Sequence, residues 1–172
     1  MWIELRMQYL GVLLVPLLLL FTACEPRASA AQSTASSPAA TPAELGKKVS
    51  ADLTGYNHTD KTIAAFYVDG QWGGNITPGS GGGSFVCCIS LPVPWHEGTE
   101  VTVSWEDHEL KTQSRKVVVP RYSDRGGGMT VHFLRDGQIK VFVGMTVLAH
   151  PDYPLKGKEA ELRPGVPLDI HN

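Results

Sequence analysis

The chain has 172 residues, 15 Lys and Arg against 17 Asp and Glu, a net charge of −2, and 42% apolar residues. A nearly neutral chain with no basic block argues against nucleic acid or anionic lipid headgroups as the main partner. The length leaves room for one domain of the commonest size once the terminal segments are set aside.

Leu10 to Ala23 form an apolar run of fourteen residues behind a short segment carrying Glu4 and Arg6. That is short for a membrane span and right for the core of an export signal. The run ends in Phe21-Thr22-Ala23-Cys24, which resembles the lipobox of bacterial lipoproteins, with Phe21 where leucine is usual. The expectation is a lipoprotein signal peptide over residues 1–23 and lipid attachment at Cys24, several acyl chains making the membrane attachment effectively permanent. Glu25 follows where aspartate would be the inner-membrane retention signal, so the resemblance implies the periplasmic face of a Gram-negative outer membrane. Ala28-Ser29-Ala30 is a rival cleavage pattern that would release a soluble periplasmic protein.

Residues 24–44 hold Cys24 and a stretch almost entirely of Ala, Ser, Thr and Pro, too poor in large apolar groups to offset the entropy of ordering them. As a tether, its twenty residues after Cys24 would span on the order of 25 Å. The domain is expected over residues 45–150 and an irregular C-terminal tail over 151–172.

Inside the domain the apolar period is two. Strands are expected near Val49–Asn57, Thr62–Val68 and Ser84–Ser90, each bounded by Gly, Pro, Asn or Asp. Val101, Val103 and Trp105 alternate with Thr102 and Ser104, starting a hairpin to Val119 that turns around Glu106-Asp107-His108-Glu109. Val131 and Phe133 alternate with Thr130 and His132, then Ile139, Val141 and Val143 with Lys140 and Phe142, around an Asp136-Gly137 pair that predicts a type I′ turn. About seven short strands without a capped amphipathic helix predict an all-β fold, an antiparallel β-sandwich of immunoglobulin-like topology. Lys156 to Leu162 offer a turn or two of helix at most before Pro164.

Cys87 and Cys88 are adjacent within a strand, where consecutive side chains point to opposite faces. Joining them requires a bulge, a tight turn or a cis peptide, because neighbouring Cα atoms are closer than a disulfide ordinarily allows. Such a bond closes no loop and gains almost nothing in chain entropy, so its use would be local rigidity. Two unlinked thiols and a metal or redox role stay open. The six histidines are scattered without the spacing of a zinc or copper motif, so no metal site is expected. Gly81–Gly83 and Gly126–Gly128 are not followed by Lys-Ser/Thr, and read as loops or close backbone approaches rather than phosphate cradles. With no Gly-x-Ser-x-Gly, no paired carboxylates outside a turn and no cofactor motif, catalysis is not expected.

Gly55-Tyr56-Asn57-His58-Thr59, Trp72-Gly73-Gly74-Asn75, the glycines leading into Cys87-Cys88, Leu91-Pro92, Trp95 and His150-Pro151-Asp152-Tyr153-Pro154 together resemble a family of small Gram-negative lipoproteins catalogued as a domain of unknown function. The resemblance covers about Ser50 to Pro154. Some similar lipoproteins serve as periplasmic immunity proteins against type VI secretion phospholipase effectors, which implies a secreted toxin as partner. On this expectation the loop aromatics Tyr56, Trp72, Trp95 and Tyr153, with His58, His150 and Asp152, are candidate partner contacts. Against it stands a structural or stress-related envelope lipoprotein whose cysteine pair responds to redox state or metal.

Overall fold

Residues with branched or aromatic side chains at every second position pair into nine strands in a computed structural model that describes residues 46–166. The signal segment, Cys24, the tether and His171 lie outside the described residues. The strands are β1 (Lys47–Asn57), β2 (Ile63–Val68), β3 (Gln71–Ile76), β4 (Ser80–Gly81), β5 (Val86–Val93), β6 (Glu100–Glu106), β7 (Thr112–Val118), β8 (Gly128–Phe133) and β9 (Ile139–Gly144). One sheet has the order β3-β2-β6-β7; in the other, β1, β8 and β9 follow one another while β4 and β5 both pair with β1.

The β-sandwich expected from the sequence is therefore present, with two strands beyond the seven. β3 and β4 are the additions, and neither has strand propensity: β3 contains Gly73 and Gly74, β4 is Ser80-Gly81. Packing explains Gly73, because a Cβ there would run into the ring of Phe66 and the side chain of Leu53. One pairing is parallel, Leu53 opposite Met129 through Asn57 opposite Phe133, so this sheet is mixed rather than wholly antiparallel.

The β8–β9 hairpin forms at the Asp-Gly pair, but with a different turn. Gly137 donates to Leu134 O and Leu134 to Gln138 O, and only Gly137, at φ +80°, has positive φ among the loop residues. That is a three-residue loop closed by a glycine bulge, not a type I′ turn, which needs positive φ at Asp136 as well.

The main core lies between the sheets, with Leu53, Phe66, Val68, Val103, Met129 and Val131 all buried. Each contributes about 1.5–3 kcal/mol relative to exposure. β6 shows the expected alternation, Val101 and Val103 buried against partly exposed Thr102 and Ser104. β8 does not: every residue from Met129 to Phe133 is buried. Met129, Val131 and Phe133 face the main core, while Thr130 and His132 face a second layer formed by the chain after β9.

That second layer is built by the segment expected to pack as irregular coil or stay mobile: as far as residue 166 it is irregular apart from one short turn, and it packs. Tyr153, Leu155 and Ala160 are buried with Tyr56, Leu134 and Leu148 in a second apolar cluster, and Phe142 of β9 packs on it. Arg135 fastens the segment, donating to the carbonyl oxygens of Glu161 at 2.9 Å and Lys158 at 2.7 Å as well as to His58 O at 3.2 Å. Lys140 meets Glu159 at 2.8 Å, but both are substantially exposed, so the pair contributes at most about 1 kcal/mol. Apolar burial at Tyr153 and Leu155, worth about 1.5–3 kcal/mol for a fully buried large side chain, is what holds the strap down. A single 3-10 turn, Gly157–Glu159, lies within it, the turn's worth of helix expected between Lys156 and Leu162.

Candidate functional site

The register of β1 against β5 contains the feature that the cysteine pair requires. Ala51 lies opposite Ile89 and Leu53 opposite Val86, so Asp52 alone faces two residues, Cys87 and Cys88. The extra residue is a β-bulge, which suspends the alternation of faces and lets both sulfurs lie on one side. Cys87 and Cys88 are joined in a disulfide. Of the readings the sequence leaves open, the vicinal bond is the one formed. Asp52 Oδ1 approaches Cys88 Sγ at 3.5 Å, and the ligand atoms of Asp52, Cys87 and Cys88 all lie within 4.8 Å of one another.

Beside the bulge a cleft of about 320 Å³ opens between the β3 and β4–β5 edges. Its floor needs glycine. Gly81 sits at φ +147°, where a side chain would collide with Gly55 O and Tyr56, and Gly82 N donates to Gly55 O at 3.1 Å. Gly126–Gly128 behaves alike, a Cβ on Gly127 meeting the backbone of Gly144. Both runs are the close backbone approaches expected of them. On the rim of the cleft Trp72 is 49% exposed, and Phe85, between the lining residues Ser84 and Val86, is 62% exposed. Gln71 Nε2 donates to Cys87 O at 3.1 Å, tying the start of β3 to the bulge.

A second constellation is internal. His58 Nδ1 lies 3.0 Å from Glu161 O, His58 Nε2 2.9 Å from His132 Nδ1, His132 Nε2 2.6 Å from Tyr153 Oη, and Tyr153 Oη 2.5 Å from Thr130 Oγ1. Tyr56 stacks on the His132 ring, centroids 4.8 Å apart and planes within 5°. The first partner fixes the rest: a carbonyl only accepts, so His58 Nδ1 carries the hydrogen and its Nε2 is bare when the ring is neutral. His132 Nδ1–H then donates to His58, Tyr153 O–H donates to His132 Nε2, and Thr130 O–H donates to Tyr153.

Charging His58 would place a second N–H against that of His132 and force the chain to reverse, with Thr130 turning to Phe142 O, 3.3 Å away. Burial opposes this. It lowers His58, helped by Arg135, although the carbonyl of Glu161 acts in the other direction. Burial, with His58 and Lys140 adding to it, pushes His132 down to about 3. It also raises the Tyr153 hydroxyl well above its ordinary value. His58 reaches the walls of two clefts, of about 500 and 550 Å³, that it shares with Arg135 and Pro164. At 2% exposure it is nevertheless a buried residue.

These placements divide the candidate contacts. Tyr56, His58 and Tyr153 are 5%, 2% and 2% exposed, so they are corrected from surface contacts to members of the internal network, where they present almost nothing to a partner. Trp95 packs against the main core and donates from Nε1 to Val119 O at 3.0 Å, with the Arg121 guanidinium 5.9 Å from its ring. His150 and Asp152 are exposed, the Asp152 N–H donating to His150 Nδ1 at 3.1 Å. Trp72 remains as an exposed aromatic, joined by Phe85, which the sequence reading did not single out. His132 and Thr130 were also missed. The signal available for them was a His and a Thr on the polar face of a strand, followed by the apolar residues Leu148, Tyr153 and Leu155 that could cover that face.

Among the described residues no helix is long and apolar enough to cross a membrane. No curated protein and no solved structure matches the chain. A family profile does, over residues 56–141, a segment that holds Tyr56, His58, the cysteine pair and His132. The chain belongs to the family described as protein of unknown function (DUF3304).

Proposed function

We propose that this protein is a lipid-anchored, non-catalytic binding protein facing the periplasm from the outer membrane. Its partner is a secreted protein toxin, a type VI phospholipase effector, which it blocks as an immunity protein. The observation that carries the binding role is the rim of the cleft: Trp72 and Phe85 are exposed at 49% and 62% on an edge stiffened by the Cys87–Cys88 bulge. Large exposed aromatics are the residue type that anchors interfaces, burying much area with few rotatable bonds. The lipid anchor rests on the Phe21-Thr22-Ala23-Cys24 pattern, and the toxin class on the resemblance of the sequence motifs.

The test is contact-dependent competition on solid medium between the parent strain and a deletion of this gene, with and without the secretion apparatus in the parent. Death of the deletion strain only beside a secretion-competent parent is the expected result. Equal survival beside both parents contradicts the immunity role.

A second reading is favoured by one observation, the carboxylate of Asp52 within reach of both sulfurs. In it the protein is a structural or stress-related envelope lipoprotein whose cysteine pair responds to redox state or metal.

A further inference from the structure

We propose that Asp52 and the reduced Cys87 and Cys88 form a binding site for a thiophilic divalent cation of the Zn²⁺ and Cd²⁺ class. The site belongs to the second reading above, in which the cysteine pair responds to its surroundings. The bulge supplies the geometry: one carboxylate of β1 faces two sulfurs of β5, with the three ligand atoms within 4.8 Å of one another. In a regular strand the two sulfurs would point to opposite faces and could not share an ion. Among the described residues this is the one group of three or more metal-ligating side chains.

The oxidised state gives Asp52 little reason to be there. A disulfide sulfur carries no hydrogen to donate, so the 3.5 Å approach of Oδ1 to Cys88 Sγ is no hydrogen bond while the S–S bond stands. No Lys, Arg or His among the described residues forms an ion pair with Asp52. Reduction changes both facts. A dithiol reductant gives two electrons and two protons to the S–S bond, which opens to two thiols, and the reductant leaves as a disulfide. A cation then displaces the two thiol protons to solvent and takes two thiolates and the carboxylate.

Thiolates select soft and borderline ions over Mg²⁺ and Ca²⁺. Three protein ligands leave the fourth tetrahedral position to water or an exchanging ligand, unlike the closed four-ligand sites that hold a fold together. Cys87 is exposed, so reductant and ion both reach it without the sandwich opening. The bond joins neighbours and closes no loop, so breaking it releases almost no chain entropy to the unfolded state and leaves the domain folded.

The experiment uses the full chain carrying Cys24→Ser, in detergent, so that Cys87 and Cys88 are its only thiols. It is reduced with dithiothreitol, desalted without oxygen and titrated with Cd²⁺, following the sulfur-to-cadmium charge-transfer absorbance. The expected results are a mass gain of two hydrogens on reduction and one saturating equivalent of Cd²⁺ that the oxidised chain does not take. Cys88→Ser removes the saturable step, and Asp52→Asn weakens it at least tenfold, roughly the least that even an outer-shell partner of a metal costs. Equal uptake by the oxidised chain or by Asp52→Asn overturns the site. A reduced chain whose melting shifts but which takes up no Cd²⁺ overturns the site and leaves the redox reading standing. A pair that dithiothreitol cannot reduce overturns both.

Discussion

Replacing His132 by alanine is expected to cost about 3 kcal/mol or more, a large share of the stability of a single domain. Two causes add. His132 is fully buried and stacked on Tyr56, so alanine leaves the space of an imidazole ring unfilled. It also strands His58 Nε2, whose one partner is that ring, and leaves the Tyr153 hydroxyl with Thr130 alone; an orphaned buried polar group costs about 1–3 kcal/mol. Tyr153→Phe keeps the ring and its packing but removes the hydroxyl between His132 and Thr130, so it should lose only about 1–3 kcal/mol. Urea unfolding midpoints followed by circular dichroism measure both. Equal losses for the two variants would mean that ring packing at His132 contributes nothing beyond the hydrogen bond.

Acid should weaken the fold well above the range where carboxylates titrate. The folded protein holds His58 and His132 below the ordinary histidine value of 6.5, His132 at about 3. As pH falls through 6.5 the unfolded chain takes up protons that the folded chain refuses, so the unfolded state is favoured. The stability that the two neutral rings contribute is therefore complete above about 6.5 and is lost progressively toward about 3. The slope is at most about 1.4 kcal/mol per pH unit for each histidine. His132→Gln cannot titrate yet keeps a donor and an acceptor. Its unfolding midpoint should fall distinctly less steeply with acid than that of the parent, and an unchanged slope would show that His132 is not the group responsible.

The sandwich was legible because half-buried strands write their alternation into the chain, as Val101, Val103 and Trp105 do against Thr102 and Ser104. Strand β3 was not, because Gly73 and Gly74 have no strand propensity; their place is set by the ring of Phe66 and by pairing with β2. The hairpin at Gly137 was readable and its turn type was not, since one glycine at positive φ serves either loop length. Thr130 and His132 show a deeper limit. On sequence they are the polar side of a half-buried strand, and only the return of Tyr153 and Leu155 over β8 turns that side into a second interior. The cysteine pair lay between these cases. Adjacent cysteines dictate a bulge or turn if they are joined, but the acid opposite them depends on the register of β1, which nothing local to Cys87 and Cys88 encodes.

The most direct test of the binding role is to restore the deletion strain with this gene carrying Trp72→Ala and Phe85→Ala, at matched surface amounts, and to compete it with a secretion-competent parent. Both side chains are exposed at the cleft rim, so their loss should leave the melting curve of the domain unchanged. The parental gene should restore survival and the double variant should not, because the aromatic anchors of the interface are gone. Full protection by the double variant would contradict this and remove the cleft rim as the surface that meets the toxin.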